Sequence, residues 1–359
     1  MNFYVVVTIL MLFIFVRKMK SKKMAYFLLF LFFFLAAFRG ENVGTDTSSY
    51  LSYSNLSNRA ADANFTDFSI LDLGSRVEVI NNYVCKFILD YRLNPRFLLV
   101  FYAVIMLVFF ALASKRFSVP IVYSFFFYIL FGYYFVSFNI ARQLCAASIV
   151  LYSLSFLIED GSKRFRFFLW LLVAAGIHSL SIICSAFFVV TLMPKLKTKY
   201  VYLLLTVSLA LIFIHVDFIN QIFNVASSSH IDFYMNQFGD MREFNIVGIL
   251  SCCIEVLCFY YFFFKTKVSY KSEDVNVYDY IYLFSVFFYT AFFNYNGIVS
   301  RMRFTLCIYI CIYLANFFYV KPLKINSREG AIFMILFLQN LIKRYQYSLG
   351  EDVAYSLTF

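Results

Sequence analysis

The chain has 359 residues, 62% of them hydrophobic and 22% aromatic, with 31 Lys and Arg against 20 Asp and Glu. Its mean hydropathy of +0.76 lies far above that of soluble globular domains, so a water-soluble domain and a disordered chain are both excluded. The net charge of +11 would suggest a nucleic-acid partner in a soluble chain. Here the basic residues fall in short clusters between apolar runs, a pattern that reports membrane topology, and no nucleic acid is expected.

Long apolar runs, rather than ten-residue alternation, favour spanning helices over a barrel. The first run, Asn2 to Val16, is followed by its basic cluster, Arg17 to Lys23, the reverse of a signal peptide; it reads as a retained span. That cluster belongs in the cytoplasm, so the second span, about Met24 to Phe38, exits outward. The polar stretch RGENVGTDTSSY, Arg39 to Tyr50, is thereby placed on the extracytoplasmic face and opens a loop at about 39–96. Within that loop, Val77 to Leu89 has the apolar spacing of a short amphipathic helix.

Further spans are expected over Phe97–Ala113, Pro120–Phe135 and Asn139–Ile158. The run Phe167–Met193 is too short for two spans, yet basic residues flank both ends. A re-entrant hairpin broken near Gly176, His178 and Ser179 reconciles the two. Tyr200–Asp217 leads to a second outer loop at about 218–245, and spans at Ile246–Phe264, Tyr278–Phe293 and Phe304–Val320 follow. A last, short run covers about Gly330 to Ile342. The expectation is one all-α domain, a polytopic transmembrane helix bundle of about ten spans plus a hairpin.

Three inward-running helices begin outside with arginine in their first turn: Arg96, Arg142, and Arg301 with Arg303. Cations are disfavoured at helix N-termini and on the outer face, whereas free N–H groups beside a guanidinium suit a phosphate or pyrophosphate. Snorkelling to lipid headgroups would explain any one of them alone. His178 in GIHSLS can bind substrate, shuttle a proton, or simply be hydrogen-bonded inside the bundle. Asp46 and Glu78 are the outer carboxylates placed to deprotonate a hydroxyl, or else a turn-capping Asp and a solvated helix Glu. Glu255 falls midway along a span, where an ionisable residue is costly. His215 and His230, without clustered carboxylates or cysteines, make a poor metal site. The eight cysteines show neither a disulfide framework nor zinc spacing, and no metal or cofactor is expected.

Taken together, RGENVGTDTSSY, FNIARQLCAASIVLYSLSFL, AAGIHSLSI and SRMRF resemble the EpsG family of Wzy-like polysaccharide polymerases. The resemblance points to Arg39, Gly44, Asp46, Tyr50, Arg142, Gln143 and His178, leaves Arg301 and Arg303 unresolved, matches Glu78 less clearly and assigns nothing to Glu255. It implies a GT-C-like bundle in the bacterial cytoplasmic membrane. The implied enzyme joins undecaprenyl-pyrophosphate-linked oligosaccharide repeats at the outer face, alongside a flippase and a chain-length regulator. On that reading Asp46 or His178 assists the attacking hydroxyl and Arg142 with Arg301 or Arg303 holds pyrophosphate. Arg39 and Tyr50 then orient sugar, and Gly44, Glu78 and Gln143 are further substrate-binding candidates. A transporter of the same lipid-linked sugar and an O-antigen ligase-like transferase are the alternatives.

Overall fold

The computed structural model describes residues 3–17, 21–62, 78–158, 164–192, 197–213, 246–270, 274–293, 297–324 and 326–350, and among them it is helical without strands. In chain order the helices are α1 (Phe3–Val16), α2 (Lys22–Ala37), α3 (Thr47–Leu51), α4 (Tyr53–Ala61), α5 (Val79–Asp90), α6 (Arg96–Arg116) and α7 (Ile121–Leu130). They continue with α8 (Tyr133–Val136), α9 (Ala141–Ile158), α10 (Arg164–Ile177), a 3₁₀ segment (Ser179–Ala186), α11 (Phe187–Val190) and α12 (Val201–Phe213). The series closes with α13 (Ile246–Tyr270), α14 (Val277–Ala291), α15 (Gly297–Cys307), α16 (Tyr309–Val320) and α17 (Arg328–Gly350).

Among the described residues, four stretches are long and apolar enough to cross a membrane: Arg96–Arg116, Ala141–Ile158, Ile246–Val268 and Arg301–Val320. Several other helices are apolar but shorter, including Phe3–Val16 and Ile121–Leu130. The expected span Pro120–Phe135 is interrupted, because Gly132, at φ +78°, follows the end of α7 and caps the start of the short α8. The last helix runs well beyond Ile342. Its polar residues find partners inside the bundle: Gln339 donates to the Ser251 hydroxyl at 2.7 Å and Lys343 pairs with Glu255 at 2.6 Å. The helix therefore does not need to end where its apolar run ends.

The centre of the bundle is α9, 83% buried. It packs on α6, α10 and α15. Ala141, Ala146, Ala147, Ser148, Ser153 and Ser155 keep its surface small, which lets neighbouring helices approach closely. Its hydroxyls are satisfied locally, as where Ser148 donates to the Leu144 carbonyl at 3.0 Å. Elsewhere the core is aromatic: Phe15 stacks on Phe126 at 4.3 Å and on Phe333 at 5.6 Å, tying α1, α7 and α17 together. The site is therefore carried by a buried central helix that begins at Ala141.

The stretch after α2 folds back onto that end. Arg39, 2% exposed, donates from Nε to the Thr47 hydroxyl at 2.9 Å, from Nη1 to the Ala36 carbonyl at 2.7 Å and from Nη2 to the Phe138 carbonyl at 3.2 Å. Thr45 N–H donates to Asn139 Oδ1 at 3.0 Å. Gly44 has φ +86°, and a Cβ there would lie 2.4 Å from the Phe138 oxygen and 2.7 Å from Asn139 Oδ1. Gly44→Ala therefore meets both left-handed backbone strain and a backbone clash, and is expected to cost at least about 1–3 kcal/mol. A lowered thermal midpoint in detergent is the expected result; an unchanged midpoint would show that the loop does not dock as described.

Candidate active site

Glu78 sits immediately before α5 and is 6% exposed. One carboxylate oxygen, Oε2, forms an ion pair with Arg142 on the first turn of α9. The other, Oε1, lies 2.7 Å from Nδ1 of His178 and accepts the Ser179 N–H at 3.1 Å. One buried carboxylate thus joins three elements distant in sequence: the α5 start, the α9 start and the break after α10.

That break has a local cause. α10 ends at Ile177, His178 is extended at φ −149° and ψ 114°, and the chain resumes as 3₁₀. Gly176 lets α5 lie against α10, since a Cβ there would meet the Ile80 side chain at 3.0 Å. The interrupted backbone leaves the Ser179 N–H free of helix bonding and aimed at Glu78, so a carboxylate replaces the missing helical acceptor.

Around this junction, Gln143 Nε2 donates to the Arg301 carbonyl at 2.6 Å and to the Thr305 hydroxyl at 3.2 Å, linking α9 to α15. Its Oε1 is buried with no hydrogen-bond partner among the described residues, an acceptor that a substrate hydroxyl could satisfy. The exposed Arg301 side chain lies within electrostatic range of His178. Arg303 points elsewhere, over the Tyr289 ring at 5.0 Å. Two residues apart on a helix, these arginines occupy nearly opposite faces. α15 also starts at Gly297, so both lie in its second turn and not the first, and the helix-terminus argument does not extend to them.

Of the remaining candidates, Tyr50 lies within electrostatic range of Arg142. Tyr50 is 6% exposed, packs edge-on to Tyr102 at 5.6 Å and lies under the Arg59 guanidinium. Asp46 is half-buried at the N-cap of α3, its Oδ1 taking the Thr45 hydroxyl at 3.3 Å. Arg39 and Gly44 hold the loop against the residues leading into α9, and Arg96 Nη1 donates to the Arg39 carbonyl at 2.9 Å. His215 and His230 lie outside the described residues. Sequence reasoning had Glu78 among the substrate-binding candidates but missed its role as the hub. The signal lay in a carboxylate directly preceding an amphipathic helix, while its partners lie 64 and 100 residues away.

Burial works to raise the Glu78 carboxyl. The Arg142 charge, the His178 hydrogen bond and charge, and the Ser179 N–H outweigh it and hold the pKa at about 2, against an ordinary 4.5. A carboxylate held so low is a poor base; its chemistry here is to fix a guanidinium and an imidazole. Because the folded value is depressed, Glu78 contributes stability that is complete above about pH 4.5 and is lost as pH falls towards 2. The contribution is on the order of 3 kcal/mol. Glu78→Gln is expected to destabilise the protein at pH 7 and to flatten the acid limb of its stability profile. An acid limb identical to that of the wild type would contradict the pairing.

Comparison with the curated proteins and with the solved structures gives no match. The EpsG family profile, in contrast, matches residues 22–347, a stretch that includes every element of this junction. The chain belongs to the EpsG family, and membership suggests a membrane polysaccharide polymerase.

Proposed function

We propose that the protein is a polysaccharide polymerase that uses a polyprenyl-pyrophosphate-linked oligosaccharide as donor, undecaprenyl being the expected carrier. The catalytic centre lies at the Glu78–Arg142–His178 junction and faces the outside of the cytoplasmic membrane. The observation that carries this reading is the joint fixing of a guanidinium and an imidazole by one buried carboxylate. The family supplies the reaction class. The number of spans, about ten, and a GT-C-like arrangement belong to this same proposal.

The chemistry follows from the residues. A hydroxyl oxygen of the acceptor repeat attacks the anomeric carbon of the donor, and the bond from that carbon to the pyrophosphate oxygen breaks. The electron pair departs on the pyrophosphate. Arg142 and Arg301 meet the charge that grows there, so they stabilise the transition state more than the ground state. The hydroxyl proton passes to Nε2 of His178, whose Nδ1–H donates to Glu78, an arrangement that keeps the lone pair on the nitrogen facing the substrate. Asp46 and Tyr50, at the Arg39–Tyr50 wall, together with the open acceptor of Gln143, would orient sugar hydroxyls. Arg39 and Gly44 act by holding that wall in place. An upstream flippase supplies the lipid-linked repeat, and a chain-length regulator is a further expected partner.

Purified protein in liposomes, given a lipid-linked repeat without nucleotide or divalent metal, is expected to lengthen it. Arg142→Ala is expected to abolish elongation while membrane insertion is retained. His178→Ala should lower the turnover rate by about 10²–10⁴-fold. Normal-length polymer from Arg142→Ala would overturn the assignment. Transbilayer movement of the repeat without elongation by the wild type would favour a transporter.

A further inference from the structure

A second cluster of charge lies on the other face of α15. Glu255, 1% exposed, lies nine residues into α13, roughly 13 Å along that helix. Its Oε2 accepts from Lys343 Nζ of α17 at 2.6 Å and from the Tyr289 hydroxyl of α14. Arg303 of α15 stands over the Tyr289 ring at 5.0 Å, within electrostatic range of both Glu255 and Tyr289. Lys265 and Glu329 pair at 3.1 Å at the other end of α13 and α17, so the two helices run antiparallel and present this cluster between them.

The pairing repeats the logic of the first site. One buried glutamate holds a cation, and an arginine of α15 adds a second. Among the described residues, two cations face one carboxylate, leaving a surplus positive charge in an apolar bundle, which is costly unless an anion arrives. Arg303 makes no side-chain hydrogen bond and no ion pair among the described residues, although its guanidinium offers five N–H donors. A structural ion pair would need only Glu255 and Lys343; the half-buried Arg303 guanidinium beside them, held over the Tyr289 and Phe304 rings, keeps N–H donors that fit an anionic ligand. Lys343, with 30% of its side chain exposed, opens the cluster to the surface.

We propose that Arg303 and Lys343, anchored by Glu255 and Tyr289, form a second site for the phosphate or pyrophosphate head of a lipid. The expected occupant is the carrier of the acceptor repeat. This rests on the polymerase reading: joining two lipid-linked repeats requires two pyrophosphates held at once, and only the donor's departs. Arg301 and Arg303 would then serve one carrier each, with α15 as the wall between them. The retained pyrophosphate sits beside the anchored Arg303–Lys343 pair, and the departing one beside Arg142 and Arg301.

The test counts polyprenyl pyrophosphate bound by native mass spectrometry, with the protein in nanodiscs of phosphatidylcholine. Wild-type protein is expected to bind two equivalents, Arg303→Gln one, and the double variant Arg142→Gln/Arg301→Gln one. In the elongation assay, Arg303→Gln is expected to raise the acceptor KM by about tenfold or more with the donor KM unchanged. Arg303→Lys, which keeps the charge, is expected to restore part of the binding. Two equivalents bound by Arg303→Gln would overturn the second site and leave the first intact. Two equivalents bound by Arg142→Gln/Arg301→Gln would overturn the first site and not the second. Phosphatidylglycerol in excess separates the sources. If the count stays at two, the site prefers a lipid pyrophosphate. If phosphatidylglycerol replaces the equivalent at Arg303, the site is an ordinary anionic-lipid site and the acceptor assignment fails.

Discussion

The end of the bundle at which α9 begins is organised by where the Glu78 carboxylate points. With one oxygen on Arg142 and the other on His178 and the Ser179 N–H, it fixes a guanidinium and an imidazole relative to each other. A guanidinium alone at the start of α9 could snorkel to headgroups, and an imidazole alone in a helix break could pack as a core residue. Both become chemically directed because a third group, too acidic to take a proton itself, holds each in place. The cost of burying that carboxylate is met by three donors, so removing any one leaves the others paired with an under-satisfied charge.

The rest of the structure can be ordered by its distance from this junction. α9 is buried because small residues let its neighbours close on it. The loop of Arg39 and Gly44 braces the turn that leads into it through the Phe138 carbonyl and the Asn139 side chain. Gln143 then couples α9 to α15, which carries Arg301 towards the junction and Arg303 away from it. The two arginines that look interchangeable in SRMRF are separated by helical geometry alone.

Class and much of the helix order could be read from the sequence, because apolar run length and basic clusters are local signals. The break at His178 was legible for the same reason: Gly176 and the polar pair His178–Ser179 interrupt an apolar run, and the backbone does change conformation there. Less legible was the division of labour within RGENVGTDTSSY. Arg39 looked like a sugar ligand, yet its donors are turned into the protein by a carbonyl 99 residues away. The hub role of Glu78 and the partners of Glu255 depend on contacts between helices far apart in sequence, which no periodicity encodes. The extension of α17 past its apolar run has the same origin, since Ser251 and Glu255 supply the partners that make Gln339 and Lys343 tolerable.

The proposed reaction requires that the leaving pyrophosphate be received at the junction that Glu78 holds. A structure of the protein in lipid nanodiscs with polyprenyl pyrophosphate bound tests this most directly. The account predicts phosphate oxygens within hydrogen-bond distance of the Arg142 guanidinium, with Arg301 turned towards them and Glu78 still bridging Arg142 and His178. Density for the pyrophosphate in a place where it touches neither arginine, with the junction unchanged, would contradict it.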